Sequence, residues 1–118
     1  MDPLRRQVTS PRMDRVLKVI NLIRLMEAEL PAQVVATYFY VASRDGCHKR
    51  ALEEDLGLTP ASGSRNTDWL SKQHRLGRPG LDLIAKEEDP TYRRRLQLKL
   101  TDKGKRLIKQ IEDILYGD

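Results

Sequence analysis

Residues 81–104 read LDLIAKEEDPTYRRRLQLKLTDKG, and the spacing of their apolar positions decides the fold. Leu96, Leu98 and Leu100 alternate with Gln97 and Lys99, while Leu81, Leu83 and Ala85 recur at every second position. A period of two marks strands with one face buried. Between the limbs, Glu87-Glu88-Asp89-Pro90-Thr91 is turn material. Pro90 has no N–H to give to a ladder, and the Asp89 carboxylate can accept from the backbone just after it. The stretch therefore predicts a β-hairpin over about 81–100. It runs straight into a helix over Asp102 to Tyr116, with Leu107, Ile108, Ile111, Ile114 and Leu115 as its apolar stripe. Arg93, Arg94 and Arg95 follow the hairpin tip. Guanidiniums crowded on a protruding ribbon repel one another unless solvated or met by anions, and nucleic-acid phosphates or a narrow minor groove fit that geometry. A solvated face is the plainer reading of a short basic run. The residues upstream favour the first.

From His48 to Leu56, Ala51, Leu52 and Leu56 supply the apolar side of a short helix that Gly57 ends. Gly suits a C-terminal cap with positive φ, Thr59 suits an N-cap, and Pro60 suits the first helical position, where a missing N–H costs nothing. Two helices joined by a short turn containing Gly form a helix-turn-helix, here about 48–73. The second helix, about Pro60 to Gln73, presents Ala61, Ser62, Ser64, Arg65 and Asp68 outward and keeps Trp69 and Leu70 for the core. Small hydroxyl residues and one Arg near its start suit a reader of the major groove, because bulky side chains would hold the helix off the base edges. Ser and Thr are also common at helix starts. The predicted DNA-reading set is Ala61, Ser62, Ser64, Arg65 and Asn66 on this helix and Arg93, Arg94 and Arg95 on the wing, with Lys49, Lys72 and Arg78 as backbone contacts. A helix-turn-helix followed by a basic-tipped hairpin is the winged-helix layout. The expected class is α+β, mainly α, with N- and C-terminal helices flanking the DNA-binding lobe.

These motifs resemble the MarR-type (multiple antibiotic resistance regulator) winged-helix transcription factors. The family's pattern L-[ST]-P-[ST]-x-[VT]-[ST]-R-x-x-D-x-L is met by Leu58-Thr59-Pro60-Ala61-Ser62-Gly63-Ser64-Arg65-Asn66-Thr67-Asp68-Trp69-Leu70. Its wing arginine, apolar strand and L-T-x-x-G are met by Arg94, Leu96, Leu98, Leu100, Thr101 and Gly104, with Asp89-Pro90 ahead of them. The similarity spans roughly residues 30–115. It implies a dimeric DNA-binding regulator of transcription, such as a repressor. The chain departs from the pattern in four ways, as a divergent or minimal member would. Tyr92 replaces the aspartate that braces the wing arginine. Gly63, Asn66 and Thr67 stand at inward positions where aliphatics are usual, which predicts weaker packing and, at Gly63, lower helicity. An insertion around Leu76-Gly77-Arg78-Pro79-Gly80 precedes the first wing strand. Only one helix follows the wing, where the family adds another to its dimer interface. Within the insertion, Gly77-Arg78-Pro79 is the core of a minor-groove hook whose leading arginine is here Leu76, so a plain Gly/Pro loop is the better reading.

Composition agrees with one domain over residues 11–118 preceded by a basic, flexible arm at 1–10, where Arg5 and Arg6 could reach phosphates. The chain has 118 residues and a net charge of +5, and between Arg93 and Lys109 eight Lys or Arg face one acid, Asp102. Cys47, the one cysteine, cannot form an internal disulfide. Arg15, Lys18 and Arg24 interrupt the first apolar stretch, so it is not read as a signal peptide, and no segment is long enough to span a membrane. The expected location is the cytoplasm of a bacterial or phage-infected cell, at the nucleoid.

Ser10-Pro11 predicts a helix start, and Met13, Val16, Leu17, Ile20, Ile23 and Leu25 or Met26 recur at helical spacing up to Leu30-Pro31. Val19 and Leu22 widen this stripe beyond one face. Two readings compete: a homodimer seam that the C-terminal helix could join, or cover of the second side by Pro31 to Ser43, with Val34, Val35, Tyr38, Phe39 and Val41. The seam agrees with the resemblance. Catalysis finds no support. His48 and His74 lie on polar stretches without a ligand partner at metal spacing, Glu53-Glu54-Asp55 lies on one short helix, and no metal or cofactor is implied. Against the DNA-binding regulator stands a winged-helix interaction module, such as a phage or plasmid accessory factor docking on transcription or replication machinery. A third reading is a sensor whose small-molecule effector the sequence does not identify.

Overall fold

Helix ends show why each element forms where it does. The computed structural model describes residues 3–74, 77–92 and 94–117. Helix α1 is Pro11–Arg24, with the Ser10 hydroxyl accepting from the Met13 N–H at 3.4 Å. It stops short of the predicted Leu30. Met26 and Glu27 both turn their N–H groups onto the Ile23 carbonyl, and the tight turn folds Met26 and Leu30 back against the core.

Helix α2, Ala32–Ser43, buries Val34, Thr37, Tyr38, Tyr40 and Val41 and packs Val35 and Phe39 on the core as well. A helix with so little polar face has to be central. Strand β1, Cys47–His48, leads into α3, Lys49–Leu56, and then α4, Pro60–Leu70. The turn between these helices has the predicted chemistry. Gly57 adopts φ 65°, the Leu58 N–H reaches the Glu53 carbonyl at 2.8 Å, and the Thr59 hydroxyl accepts from the Ser62 N–H at 3.1 Å.

Helix α4 ends three residues before the predicted Gln73, because the returning chain takes over its last carbonyls. Leu81, Asp82 and Leu83 donate to Trp69, Ser71 and Leu70. The inserted loop is thereby closed, with a bridge pairing Gln73 and Pro79 and the His74 ring edge-on to Trp69 at 4.8 Å. Gly80 is required there, since a Cβ would lie 1.8 Å from the Ser71 carbonyl.

Strands β2, Ile84–Glu88, and β3, Leu96–Leu100, form the wing, and the antiparallel sheet has the order β1-β3-β2. Its register pairs Ile84 with Leu100, Glu88 with Leu96, and Cys47 with Leu98. The first limb differs from the predicted one. Asp82 has φ 55°, which breaks the alternation, so Leu83 and Ile84 are buried in succession and the strand begins only at Ile84. In β3, Leu98 is fully buried, while Leu96 emerges toward the wing tip.

Helix α5, Asp102–Tyr116, starts against this junction. The Thr101 hydroxyl donates to the Asp82 carbonyl at 2.6 Å and accepts from the Gly104 N–H at 3.0 Å, and the Tyr38 hydroxyl donates to the Gly104 carbonyl at 2.6 Å. A Cβ on Gly104 would lie 2.0 Å from the Leu83 carbonyl oxygen. That contact explains the Gly of L-T-x-x-G. Among the described residues, no helix is long and apolar enough to cross a membrane.

The second side of α1 is left uncovered. Met13, Val16, Leu17 and Ile20 are 62%, 44%, 53% and 40% exposed, while Val19 and Ile23 on the opposite side are buried. Helix α2 therefore does not cover the stripe, and the two-sided pattern belongs to a surface.

Because backbone rather than a flexible side chain blocks the space, Gly104→Ala is expected to destabilise the chain by about 1–3 kcal/mol. Thermal denaturation checks this, and an unchanged midpoint would show that the α5 start can move off Leu83.

Candidate nucleic-acid interface

The outward face of α4 carries Ala61 and Arg65 exposed and Ser62 and Ser64 half-buried. The Arg65 guanidinium donates to the Ser62 hydroxyl at 3.0 Å, one turn earlier. This lays a cation along a face with no bulky apolar side chain. Asp68 does not stay on that surface alone, for it pairs with Lys86 of β2 and ties the wing to the helix.

Asn66 is not on the outward face of α4. It is 6% exposed, and its amide donates to the Gln33 side chain at 3.4 Å on α2. The other polar inward residues are accounted for in the same way. The Thr67 hydroxyl donates to the Gly63 carbonyl at 2.8 Å, and Gly63 makes room for Glu53, whose carboxylate oxygen would sit 2.3 Å from an added Cβ. The glycine thus leaves the space that the Glu53 side chain occupies between α3 and α4. The weaker packing expected from these residues is replaced by specific contacts.

Lys49 is also turned inward. It pairs with Glu53, its side chain is 14% exposed, and its ammonium donates to the Pro60 carbonyl at 3.3 Å. It clips α3 to the start of α4 and is not an open phosphate contact. Arg50, one residue on, is exposed beside Glu54 at 3.1 Å. Lys72 and Arg78 are exposed after α4, on the closed loop.

Arg94 and Arg95 are exposed on the wing, and Arg93 lies outside the described residues. A cleft of about 370 Å³ separates the wing from the start of α3, with His48, Arg50, Arg94 and Arg95 on its walls. Lys49 and Glu53, paired with each other, also line it, so the remaining cations Arg50, Arg94 and Arg95 favour an anion there.

The wing tip is anchored by residues that local sequence patterns do not reveal. Asp89 is only 8% exposed. One of its oxygens accepts from the Thr91 N–H at 2.8 Å and the Tyr92 N–H at 3.4 Å, which is the predicted turn contact. The other accepts from His48 Nε2 at 2.6 Å, across 41 residues of sequence. Tyr92 stands edge-on to His48 at 6.3 Å and carries the Arg95 guanidinium over its ring at 4.7 Å. The ring thus steadies Arg95 by a cation–π contact rather than bracing Arg94 by charge. The His48 hydrogen bond and then the Thr91 N–H hold the Asp89 carboxyl below the usual carboxylate range.

Cys47 is half-buried on β1, and burial raises its thiol pKa, which keeps it protonated and poorly nucleophilic.

The fold is the MarR-type winged helix. A MarR-like transcriptional regulator from Thermotoga maritima aligns with a TM-score of 0.61 at 21% identity, over 99% of this chain and 77% of the other. The transcriptional repressor CouR, solved bound to a 23-mer DNA duplex, gives 0.58 at 20% identity over 98% and 77%. The crystal structure of MarR gives 0.56 at 18% identity over 91% and 82%. No protein-family model matches the sequence, and no curated protein matches it.

A carboxyl whose pKa is lowered by folding adds stability above its unfolded pKa, and that stability is lost as pH falls through the folded value. Asp89→Asn is therefore expected to melt below the wild type at neutral pH, with the gap closing below the usual carboxylate range. Melting curves across acid pH check this; a gap that stays constant would show that the Asp89 charge does not matter.

Proposed function

We propose, from the MarR-type winged-helix fold, that the chain is a sequence-specific double-stranded DNA-binding transcriptional regulator. The observation that carries the reading is the outward face of α4, with Ala61, Ser62, Ser64 and Arg65, on a helix joined to an arginine-tipped wing through Asp68 and Lys86. In this reading α4 enters the major groove, with Arg65 and the two serines at base edges. The wing lies along the minor groove, where Arg94 and Arg95 meet the backbone or the narrow groove floor. Arg50, Lys72 and Arg78 contact flanking phosphates. The solution of CouR on a duplex supports the proposal by likeness of fold.

The uncovered stripe of Met13, Val16, Leu17 and Ile20 supports a homodimer through α1. Elongation supports it too, since the radius of gyration of 16.4 Å exceeds the roughly 13.5 Å of a compact chain of this length. A two-fold dimer would read a palindromic site. A cavity of about 410 Å³ between α1 and α2, lined by Ile20, Ile23, Leu30, Val35 and Phe39, adjoins this stripe and suits an apolar effector. The competing interaction-module reading drew on Gly63, Asn66 and Thr67 and on the single helix after the wing; internal packing accounts for the three residues.

Selection from a randomised duplex pool by purified protein tests the reading. A palindromic motif is expected, with Arg65→Ala costing about 1–3 kcal/mol and relaxing specificity at one position. Arg94→Ala should weaken all sequences alike and reduce the salt slope by about 1. Motif-free binding unaffected by either substitution would reject it. Sedimentation equilibrium checks the seam: wild type is expected to be dimeric and Leu17→Asp monomeric, and a monomeric wild type would remove the dimer.

A further inference from the structure

We infer that His48 and Asp89 are positioning residues for the wing, fixing its angle on the helix-turn-helix and, through Tyr92, the aim of Arg95. The inference rests on the DNA-binding reading and deepens it.

A two-stranded wing is a weak support for an arginine. Its long ladder is β2 with β3, and the body adds to it only the two-residue β1 at Leu98 and Gln97, below the tip; a hairpin of that size is marginal without further contacts. The tip is closed by two backbone bonds, Asp89 N–H to the Arg95 carbonyl at 3.0 Å and Arg95 N–H to the Tyr92 carbonyl at 2.8 Å. These bonds shape the turn but do not attach it to anything else. Attachment to the body near the tip comes through His48. It stands where β1 gives way to α3, with φ −78° and ψ 144°, so its backbone joins the sheet beside Gln97 and leads into the helix-turn-helix, while its ring reaches the wing tip.

The geometry concentrates several restraints on one carboxylate. One Asp89 oxygen gathers the Thr91 and Tyr92 N–H groups and sets the turn, while the other holds His48. Tyr92 then meets the His48 ring edge on one side and the Arg95 guanidinium on its face. Removing the imidazole takes away both the body-side donor and the edge against which Tyr92 stands. Arg95 would keep its charge and lose its bearing. His48 and Arg95 also border the cleft between wing and α3, so the aim of Arg95 sets the width of that opening.

A positioning role differs from a contact role in how substitutions combine. Residues acting through one another show non-additive losses, whereas independent contributors add. The test measures affinity and salt slope, on the tightest-binding duplex from the randomised pool, for wild type, His48→Ala, Arg95→Ala and the double variant. Circular dichroism confirms that each is folded. His48→Ala and Arg95→Ala are each expected to weaken binding about tenfold and to lower the salt slope by about 1, and the double variant should be scarcely weaker than either. His48→Gln should restore binding, since its amide can donate to Asp89, and Tyr92→Phe should bind like wild type because it keeps the ring. Multiplying losses in the double variant, or a His48→Ala protein with wild-type affinity and slope, would overturn the inference while leaving the DNA-binding reading intact. Failure of the wild type to bind any duplex would overturn both.

Discussion

The Leu83 N–H donates to the Leu70 carbonyl at 2.7 Å, and the Leu83 carbonyl accepts from the Thr101 N–H at 3.0 Å with Gly104 pressed against it. One peptide neighbourhood therefore joins the last turn of α4, the base of the wing and the first turn of α5. Three elements with no side chain in common are placed by backbone groups, whose bonding geometry is fixed more tightly than that of side chains. Leu83 itself is buried, so water does not compete for these bonds. The angle between α4 and the wing follows from this knot, and so does the direction in which α5 leaves.

Around that knot, the molecule handles polar residues in an ordered way. Asn66 and Thr67 lie inward, yet each has a partner, and among the described residues no buried side-chain polar atom lacks one. Gly63 serves a neighbour, leaving space that the half-buried Glu53 and Lys49 pair occupies between α3 and α4. A paired charge in that position costs little more than it returns, whereas either partner alone would be strongly unfavourable. Substitutions that look like losses of apolar packing are in fact a different fastening.

Much of this was legible in the sequence because it is local. The caps at Ser10, Thr59 and Thr101, the left-handed Gly57 and the strict alternation of Leu96, Leu98 and Leu100 depend on residues within a turn or two of one another. The early ends of α1 and α4 were not legible, because returning chain decides them: a tight turn onto Ile23 in one case and the carbonyl-capping stretch Leu81 to Leu83 in the other. Nor was the inward turn of Lys49 or of Asn66, which needs the position of Pro60 and of Gln33 in space. Asp89 shows the division within one side chain. Its turn contacts follow from Asp-Pro in sequence, while its contact with His48 spans the fold. Of the candidate interface, the exposure of Ala61, Arg65, Arg94 and Arg95 was legible from pattern alone; the contacts that support them were not.

The stripe on α1 has a thermodynamic side. Met13, Val16, Leu17 and Ile20 share a face only while α1 is helical, so whatever covers them binds the folded chain and not the unfolded one. Mass action then couples folding to occupancy, adding RT ln(1 + [L]/Kd) to the free energy of unfolding for a covering ligand, or a concentration-dependent equivalent for a second copy. Any partner that covers α1 would therefore raise the melting temperature of this chain with its own concentration.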